Sequence, residues 1–309
     1  VSGPALVRTV LGDVDPASLG VVDAHDHLFL RTPRLPGQEM DSASAAEAEL
    51  RAFATAGGGA LAQWTPVGLG RRADLLPMLS RVTGVHLIAA TGLHQAAHYA
   101  PEFLDRLLPR LARRFIADLT EGIHGSNGLV RAGMIKVAGG FHRLDPHARQ
   151  VFTAAAEAHH LTGAPIGVHL ELGTGAPETL DLLCTELGVP ADRVILGHLN
   201  RAPDTRTHLR AAEAGAYLAF DGPSRAHHPT DWRLLDCLAA LAEAGHADRL
   251  LIGGDTTTAA ARATSGEGPG LPYLPGVLRP RIERELGADT AKSCFETNPA
   301  RAFAITRPA

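Results

Sequence analysis

Short apolar runs recur along the chain at a regular interval. They fall at Leu19–Ala24, Ala60–Thr65, His86–Thr91, Gly133–Val137, Pro165–His169, Arg193–His198, Ala216–Asp221 and Leu250–Asp255, and their β-rich composition predicts strands. Between them the period becomes helical. Leu234, Leu238 and Leu241 stand at i, i+4 and i+7 behind Pro229-Thr230-Asp231, which reads as a helix start with an N-cap. Val151, Ala155 and Ala158 follow Asp145-Pro146 in the same way, and Thr179, Leu180, Leu183 and Leu187 run up to Gly188. Strands that alternate with helices predict βα units and a parallel sheet. Eight such units on 309 residues point to a (β/α)8 TIM barrel of the α/β class rather than an open sheet. No linker, composition break or low-complexity tract interrupts residues 1–309, so one domain is expected. Gly57-Gly58-Gly59 reads as a turn into the second strand, because no Lys-Ser/Thr follows it as a phosphate loop would require.

Strands buried on both faces should carry few polar residues, and here those residues gather at the C-terminal ends. The first strand runs into Asp23-Ala24-His25-Asp26-His27, the fourth into Ile135-Lys136-Val137, and the fifth into Gly167-Val168-His169. The sixth ends in Gly197-His198 and the eighth in Gly253-Gly254-Asp255. In a barrel those ends share one mouth, where active sites are built. His25 and His27 are two apart and therefore face the same way on a strand, so both imidazoles can grip one cation. His169, His198 and Asp255 add ligands from other directions. Singly, each has an ordinary explanation: a hydrogen-bonded core histidine, a snorkelling lysine, a helix-capping aspartate. Their coincidence at the ends of five strands favours a metal site at the C-terminal mouth. Lys136 is the informative member, because an ammonium beside dications is repelled and must become neutral or be chemically changed. A neutral amine can take up carbon dioxide and become an anionic carbamate able to bridge two metals.

Composition narrows the field. Lys and Arg number 29 against 33 Asp and Glu, a net charge of −4, which argues against a nucleic-acid or membrane-surface binder. No apolar run approaches the roughly 18 residues of a membrane span. Val1–Val10 holds one Arg and no apolar h-region, so no export signal is expected. Three well-separated cysteines, Cys184, Cys237 and Cys294, fit a reducing, cytoplasmic setting better than a disulfide framework.

The set His25-x-His27, Lys136, His169, His198 and Asp255 resembles the phosphotriesterase family of the amidohydrolase superfamily. The likeness covers essentially the whole chain and includes the surrounding words Val22-Asp23-Ala24-His25-Asp26-His27, Ile135-Lys136-Val137-Ala138, His169-Leu170-Glu171-Leu172-Gly173-Thr174, Gly197-His198-Leu199-Asn200-Arg201, Gly253-Gly254-Asp255-Thr256 and Asn298-Pro299-Ala300-Arg301. The resemblance implies two divalent metal ions, most often zinc. His25, His27 and Asp255 would hold one and His169 and His198 the other, with carboxylated Lys136 and a hydroxide bridging them. The implied reaction is attack of that hydroxide on an electrophilic centre, with Asp255 as general base and proton shuttle. The resemblance also implies a homodimer acting on a small-molecule substrate.

Within the family, several words resemble the members that open sugar or sugar-phosphate lactones: His198-Leu199-Asn200-Arg201-Ala202-Pro203-Asp204, Phe220-Asp221-Gly222 and Gly266-Glu267-Gly268-Pro269-Gly270-Leu271. His94, Arg201, Arg225 and Arg262 are the substrate-binding candidates that follow from this likeness, although Arg262 reads equally well as a solvated loop charge. One departure stands out. A basic residue and a tyrosine are expected soon after the strand-eight Asp, but Thr256-Thr257-Thr258-Ala259-Ala260-Ala261 has neither. The alternative activities are those of a phosphotriesterase or a carboxylesterase on organophosphates or aryl esters, although 5% aromatic content argues against a large aryl pocket. A catalytically silent metal-containing binding protein is disfavoured by the intact Asp255 and Lys136.

Overall fold

The computed structural model describes residues 5–223 and 229–305. Eight strands form one sheet in chain order. They are β1 (Val21–Asp26), β2 (Gly58–Gln63), β3 (His86–Gly92), β4 (Met134–Ala138), β5 (Ile166–His169), β6 (Val194–Gly197), β7 (Tyr217–Asp221) and β8 (Leu250–Gly253). Every adjacent pair from β1 to β8 is parallel, and helices cover the outside as in a TIM barrel. Each predicted run overlaps one strand, with two informative shifts. β1 starts at Val21 rather than Leu19 because Asp15 accepts a bond from the Ala17 N–H and caps a 3-10 turn at Pro16–Leu19. The strand then continues through His25. At the other end β8 stops at Gly253, because Asp255 turns away with φ 50°.

The barrel closes between β1 and β8 by an unusual join. One backbone bond crosses it, from the Asp255 N–H to the His25 carbonyl at 2.9 Å. Two buried carboxylates supply the rest. Asp23 Oδ1 accepts from the Gly254 N–H at 3.2 Å, and Asp26 Oδ1 accepts from the Thr256 N–H at 3.0 Å. A Cβ on Gly253 would lie 2.6 Å from the His25 nitrogen, so only glycine permits this approach.

The barrel interior is filled by small and medium apolar residues, Val22, Ala24, Ala60, Ala62, Ile88, Ala90, Met134, Ile195, Ala219 and Leu251, around the fully buried Trp64. The Trp64 indole N–H donates to the Ala24 carbonyl at 2.8 Å. A Cβ on Gly167 would fall 2.8 Å from the Trp64 ring, which explains a glycine in the middle of β5. Below, an antiparallel sheet of Leu6–Thr9, Gly12–Val14 and Ala304–Ile305 contributes Val7 and Ala304 to the same cluster. Strands of two to four residues are too short for periodicity to announce.

The outer helices follow their sequence signals. Pro146–Thr162 begins where the Asp145 side chain accepts from the Ala148 N–H and ends at Gly163, φ 73°. It buries Val151, Ala155 and Ala158. Leu234–Glu243 buries Leu234, Leu238 and Leu241 and is entered through a 3-10 turn at Asp231–Arg233. Fully burying one leucine contributes roughly 1.5–3 kcal/mol, so the apolar stripes dock these helices more than their caps do. Ala176–Leu180 widens into a π-turn over Asp181–Glu186 before Gly188. Gly57 makes the expected turn at φ 101°, whereas Gly59 is required because the Leu19 carbonyl lies 2.3 Å from where its Cβ would be.

Candidate metal centre

The ends of β1, β7 and β8 converge on one buried cluster. His25 and His27 each place Nε2 at 3.6 Å from Asp255 Oδ1, and ligand atoms of the three residues lie within 4.8 Å of one another. His25, His198 and Asp221 form a second such group. Trp64 is the floor: its ring stacks on His25 with centroids 3.9 Å apart. Across the site His25 Nδ1 faces Asp221 Oδ1 at 3.2 Å. Both atoms are buried without a hydrogen-bond partner among the described residues, a costly arrangement unless a cation joins them.

Hydrogen bonds fix where the histidine protons sit. The Thr65 hydroxyl donates to the Phe29 carbonyl at 2.6 Å, so its oxygen accepts the His27 Nδ1 proton at 2.7 Å. That leaves a bare Nε2 on His27, aimed at Asp255. A longer chain runs from Asp221 through His198 and His169 to Glu171. His198 Nδ1 donates to Asp221 Oδ2 at 2.6 Å, and His169 Nε2 donates to Glu171 Oε2 at 3.0 Å. Two lone pairs, on His198 Nε2 and His169 Nδ1, then face each other across 2.7 Å. A positive charge must be shared there. The imidazoles themselves resist protonation: burial lowers His27 and His169 to about 4 and His198 to about 3. Neutral imidazole is the form that binds metal. The residues therefore fit two divalent cations, and a set of histidines and carboxylates suits zinc, manganese, cobalt or iron.

Lys136 stands in β4 on the wall of the same cavity, 4% exposed. Burial lowers its ammonium to about 7. Its Nζ donates to His94 Nδ1 at 2.9 Å, which places the His94 proton on the other ring nitrogen. Burial and the neighbouring Lys136 hold His94 well below its ordinary value.

Two of the cluster residues occupy the left-handed region, His198 at φ 65° and Asp255 at φ 50°. Such conformations cost about 1–3 kcal/mol each and persist only when the surroundings impose them. The His25 carbonyl fixes the Asp255 amide, and Asn200 brackets the backbone of Asp221 through its side-chain amide at 3.0 and 3.1 Å. Arg201 bonds Asp255 Oδ2 and lies 3.0 Å from Asp221 Oδ2. Although burial opposes its charge, these two carboxylates hold the guanidinium above its usual range. Burial would in turn raise Asp255, but Arg201 and His198 keep it well below the usual carboxylate range.

The cluster opens into a cavity of about 410 Å³. His25, His27, His94, Lys136, His169, His198, Arg201 and Asp255 all line it, as sequence reasoning expected for residues gathered at one mouth. Arg262 does not. It is 2% exposed and donates to the Leu28 carbonyl beneath the first loop, so it is corrected from substrate contact to internal brace. The neighbouring glycine-rich word also proves structural. Glu49, 1% exposed, accepts from the N–H groups of Ala263, Thr264 and Leu271, and the loop folds around it. Arg225 lies outside the described residues.

Sequence reasoning missed several cavity residues. Asp221, buried beneath the cavity with His25 and His198, carries the same signal as its partners, a carboxylate ending a strand. Arg34, Thr32 and His98 sit on loops, where no periodicity marks them. Thr32 Oγ1 is 2.9 Å from His98 Nδ1, and Glu171 accepts from Gln95 at 2.9 Å. The rest of the lining is mostly aliphatic, Leu30, Leu35, Pro66, Leu69, Ala97 and Leu172 with Thr257, and holds no Phe, Tyr or Trp among the described residues.

This chain matches the profile of the Phosphotriesterase family over residues 5–302. It is 32% identical over 255 residues to a phospho-furanose lactonase of Mycoplasmopsis agalactiae, covering 74% of this chain and 70% of that protein. Among solved structures it superposes on a lactonase from Listeria monocytogenes with a TM-score of 0.90 and 26% identity, covering 97% of this chain and 99% of the other. A mutant organophosphorus hydrolase from Deinococcus radiodurans aligns with a TM-score of 0.83 and 28% identity, covering 96% and 97% of the two chains.

Proposed function

Because the chain belongs to the phosphotriesterase family of metal-dependent hydrolases, we propose that it opens the ring of an anionic lactone, of the sugar or sugar-phosphate class. His25, His27 and Asp255 would hold one divalent ion and His169 and His198 the other, zinc being the first candidate. Lys136 would bridge them after its amine adds carbon dioxide, forming an N–C bond and releasing a proton. The two ions, when bound, supply Lewis acidity for the substrate carbonyl and a water acidified toward neutral pH. The protein supplies the rest. Asp255, ionised and fixed by its backbone bond to His25, accepts the proton of the attacking water. It then returns that proton to the ring oxygen as the acyl bond breaks. His94 orients Lys136. Arg201 keeps Asp255 and Asp221 aligned and lies at the cavity wall, where it can also meet the substrate.

The observation that carries the anionic character is Arg34. It lines the catalytic cavity, is exposed, and forms no ion pair among the described residues. Glu171 and Arg201 are already engaged with His169 and with the two aspartates. Arg34 thus supplies from the first loop the cation that Thr256–Ala261 lacks after β8. Three free thiols, Cys184, Cys237 and Cys294, support a reducing cytoplasmic setting. A homodimer accompanies this reading.

The test is a purification in bicarbonate with added zinc, followed by metal analysis and a panel of plain and phosphorylated sugar lactones, acyl-homoserine lactones, an aryl ester and a phosphotriester. Two metals per chain and a preferred phosphorylated or carboxylated lactone are expected. Arg34→Gln should then raise KM for that substrate about tenfold with little change in kcat, as loss of uniform binding does. The phosphotriesterase reading is supported by the organophosphorus hydrolase relative and disfavoured by the cavity's lack of aromatic lining. Best turnover on the phosphotriester would reverse that ranking.

A further inference from the structure

A second cleft, of about 500 Å³, lies on the outer side of the segment that follows β2. Its walls carry five guanidinium groups, those of Arg71, Arg72, Arg106, Arg110 and Arg114. Arg106 lies in the last turn of the helix Pro101–Leu107, Arg110 in the 3-10 turn Leu108–Arg110 and Arg114 in the helix Leu111–Thr120, so three successive elements each bring one arginine to this cleft, where like charges repel. Among the described residues, two carboxylates pair with them. Asp74 is spent on Arg72 at 2.9 Å, and Asp118 on Arg71 at 2.8 Å and Arg114 at 3.1 Å. Arg106 and Arg110 are exposed and make no ion pair among the described residues. A concave surface with this excess is suited to a ligand bearing several negative oxygens, which guanidinium forks bind in pairs.

The cleft shares a wall with the catalytic cavity. Along one segment Pro66 and Leu69 face the catalytic side, while Val67, Gly68, Gly70 and Arg71 line the arginine side. A second link is aromatic. Phe103, in the arginine cleft, stacks on Tyr99 with centroids 5.4 Å apart. The Tyr99 hydroxyl accepts from the backbone N–H of His94, whose ring holds Lys136. We propose that the arginine cleft is a second binding site, for a small phosphate-bearing molecule, and that its occupancy is felt in the catalytic cavity through the shared segment and the Phe103–Tyr99 pair.

Calorimetric titration of the zinc-loaded protein with fructose 1,6-bisphosphate and with inorganic phosphate tests this. Wild type should bind at least one of them, and Arg106→Gln/Arg110→Gln should weaken that binding tenfold or more while keeping its circular dichroism and Tm. Arg34→Gln, which weakens anion binding in the catalytic cavity, should leave the binding component that the double variant loses unchanged. The bound anion should also shift KM or kcat for the best lactone in wild type and not in the double variant. The proposal is overturned if neither anion binds, or if Arg34→Gln alone abolishes binding. It is equally overturned if the double variant changes only the oligomeric state, which would make the cleft a contact between copies of the chain. None of these outcomes depends on which lactone the catalytic cavity prefers.

Discussion

On the lower side of Trp64 the barrel holds Val22, Ala60, Ile88, Met134, Ile195 and Leu251, each fully buried and apolar. On its upper side, against the same indole, stand His25, His198, Asp221 and Asp255, equally buried yet polar, two of them in strained backbone. The lower half is satisfied by contact alone. The upper half leaves His25 Nδ1 and Asp221 Oδ1 without a hydrogen bond among the described residues and two imidazole lone pairs opposed. A rigid apolar floor lets a polar ceiling stay poorly satisfied, because the ligands cannot relax toward one another without unpacking it.

The sharpest way to separate the two halves is Asp255→Asn. It should lower kcat by about 10²–10⁴-fold, the range of a general base, while most of the bound metal and the unfolding midpoint are retained. Turnover within tenfold of wild type would remove Asp255 from its proposed role. Trp64→Ala attacks the floor instead and should cost about 3–5 kcal/mol of stability, read by urea unfolding, with metal content falling as His25 loses its support. Gly167→Ala sharpens the point from the other side. Its Cβ would sit 2.8 Å from the indole and 2.6 Å from the flexible Met134 Cε, for a smaller loss of about 1–3 kcal/mol. Equal effects on metal content from the Trp64 and Gly167 changes would mean that volume, not stacking on His25, is what the floor provides.

A further effect is that of pH on the metal-free protein. His27, His98 and His169 are lowered by burial to about 4, so between pH 6.5 and 4 the unfolded chain binds more protons at these residues. Stability therefore rises with pH across that window. Asp26, raised by burial to about 6, opposes this below pH 6 and offsets part of it. The expected result is a lower urea midpoint at pH 5 than at pH 7. An unchanged midpoint would mean that the ceiling pays no penalty for its neutral histidines.

Much of the upper half was legible in the sequence because strand ends are where polar residues interrupt an apolar pattern, as at His25, Lys136, His169, His198 and Asp255. Trp64 was not, since an aromatic residue inside an apolar run looks like any other core residue until its neighbours' glycines are seen touching it. Arg34 and His98 were hidden for another reason: loop residues obey no period, and only the folded path brings them over the cavity. Arg262 misled because a charge near a strand end was given the role of a ligand contact, when its actual partner was the carbonyl of Leu28, far away in sequence. The antiparallel sheet below the barrel was invisible because its strands are only two to four residues long, and one of its two pairings joins opposite ends of the chain.

The carboxylate join between β1 and β8 has a consequence for how the protein is made. The bonds from Gly254 to Asp23 and from Thr256 to Asp26 connect positions 231 and 230 residues apart. On a ribosome His25 and His27 emerge long before Asp255, and a nascent chain can offer the early histidines to stray ions without holding them. Only after translation has passed β8 can the ring shut and the full set of donors form. The complete donor set is then a late product of biosynthesis, present only in a molecule whose first and last strands have found each other.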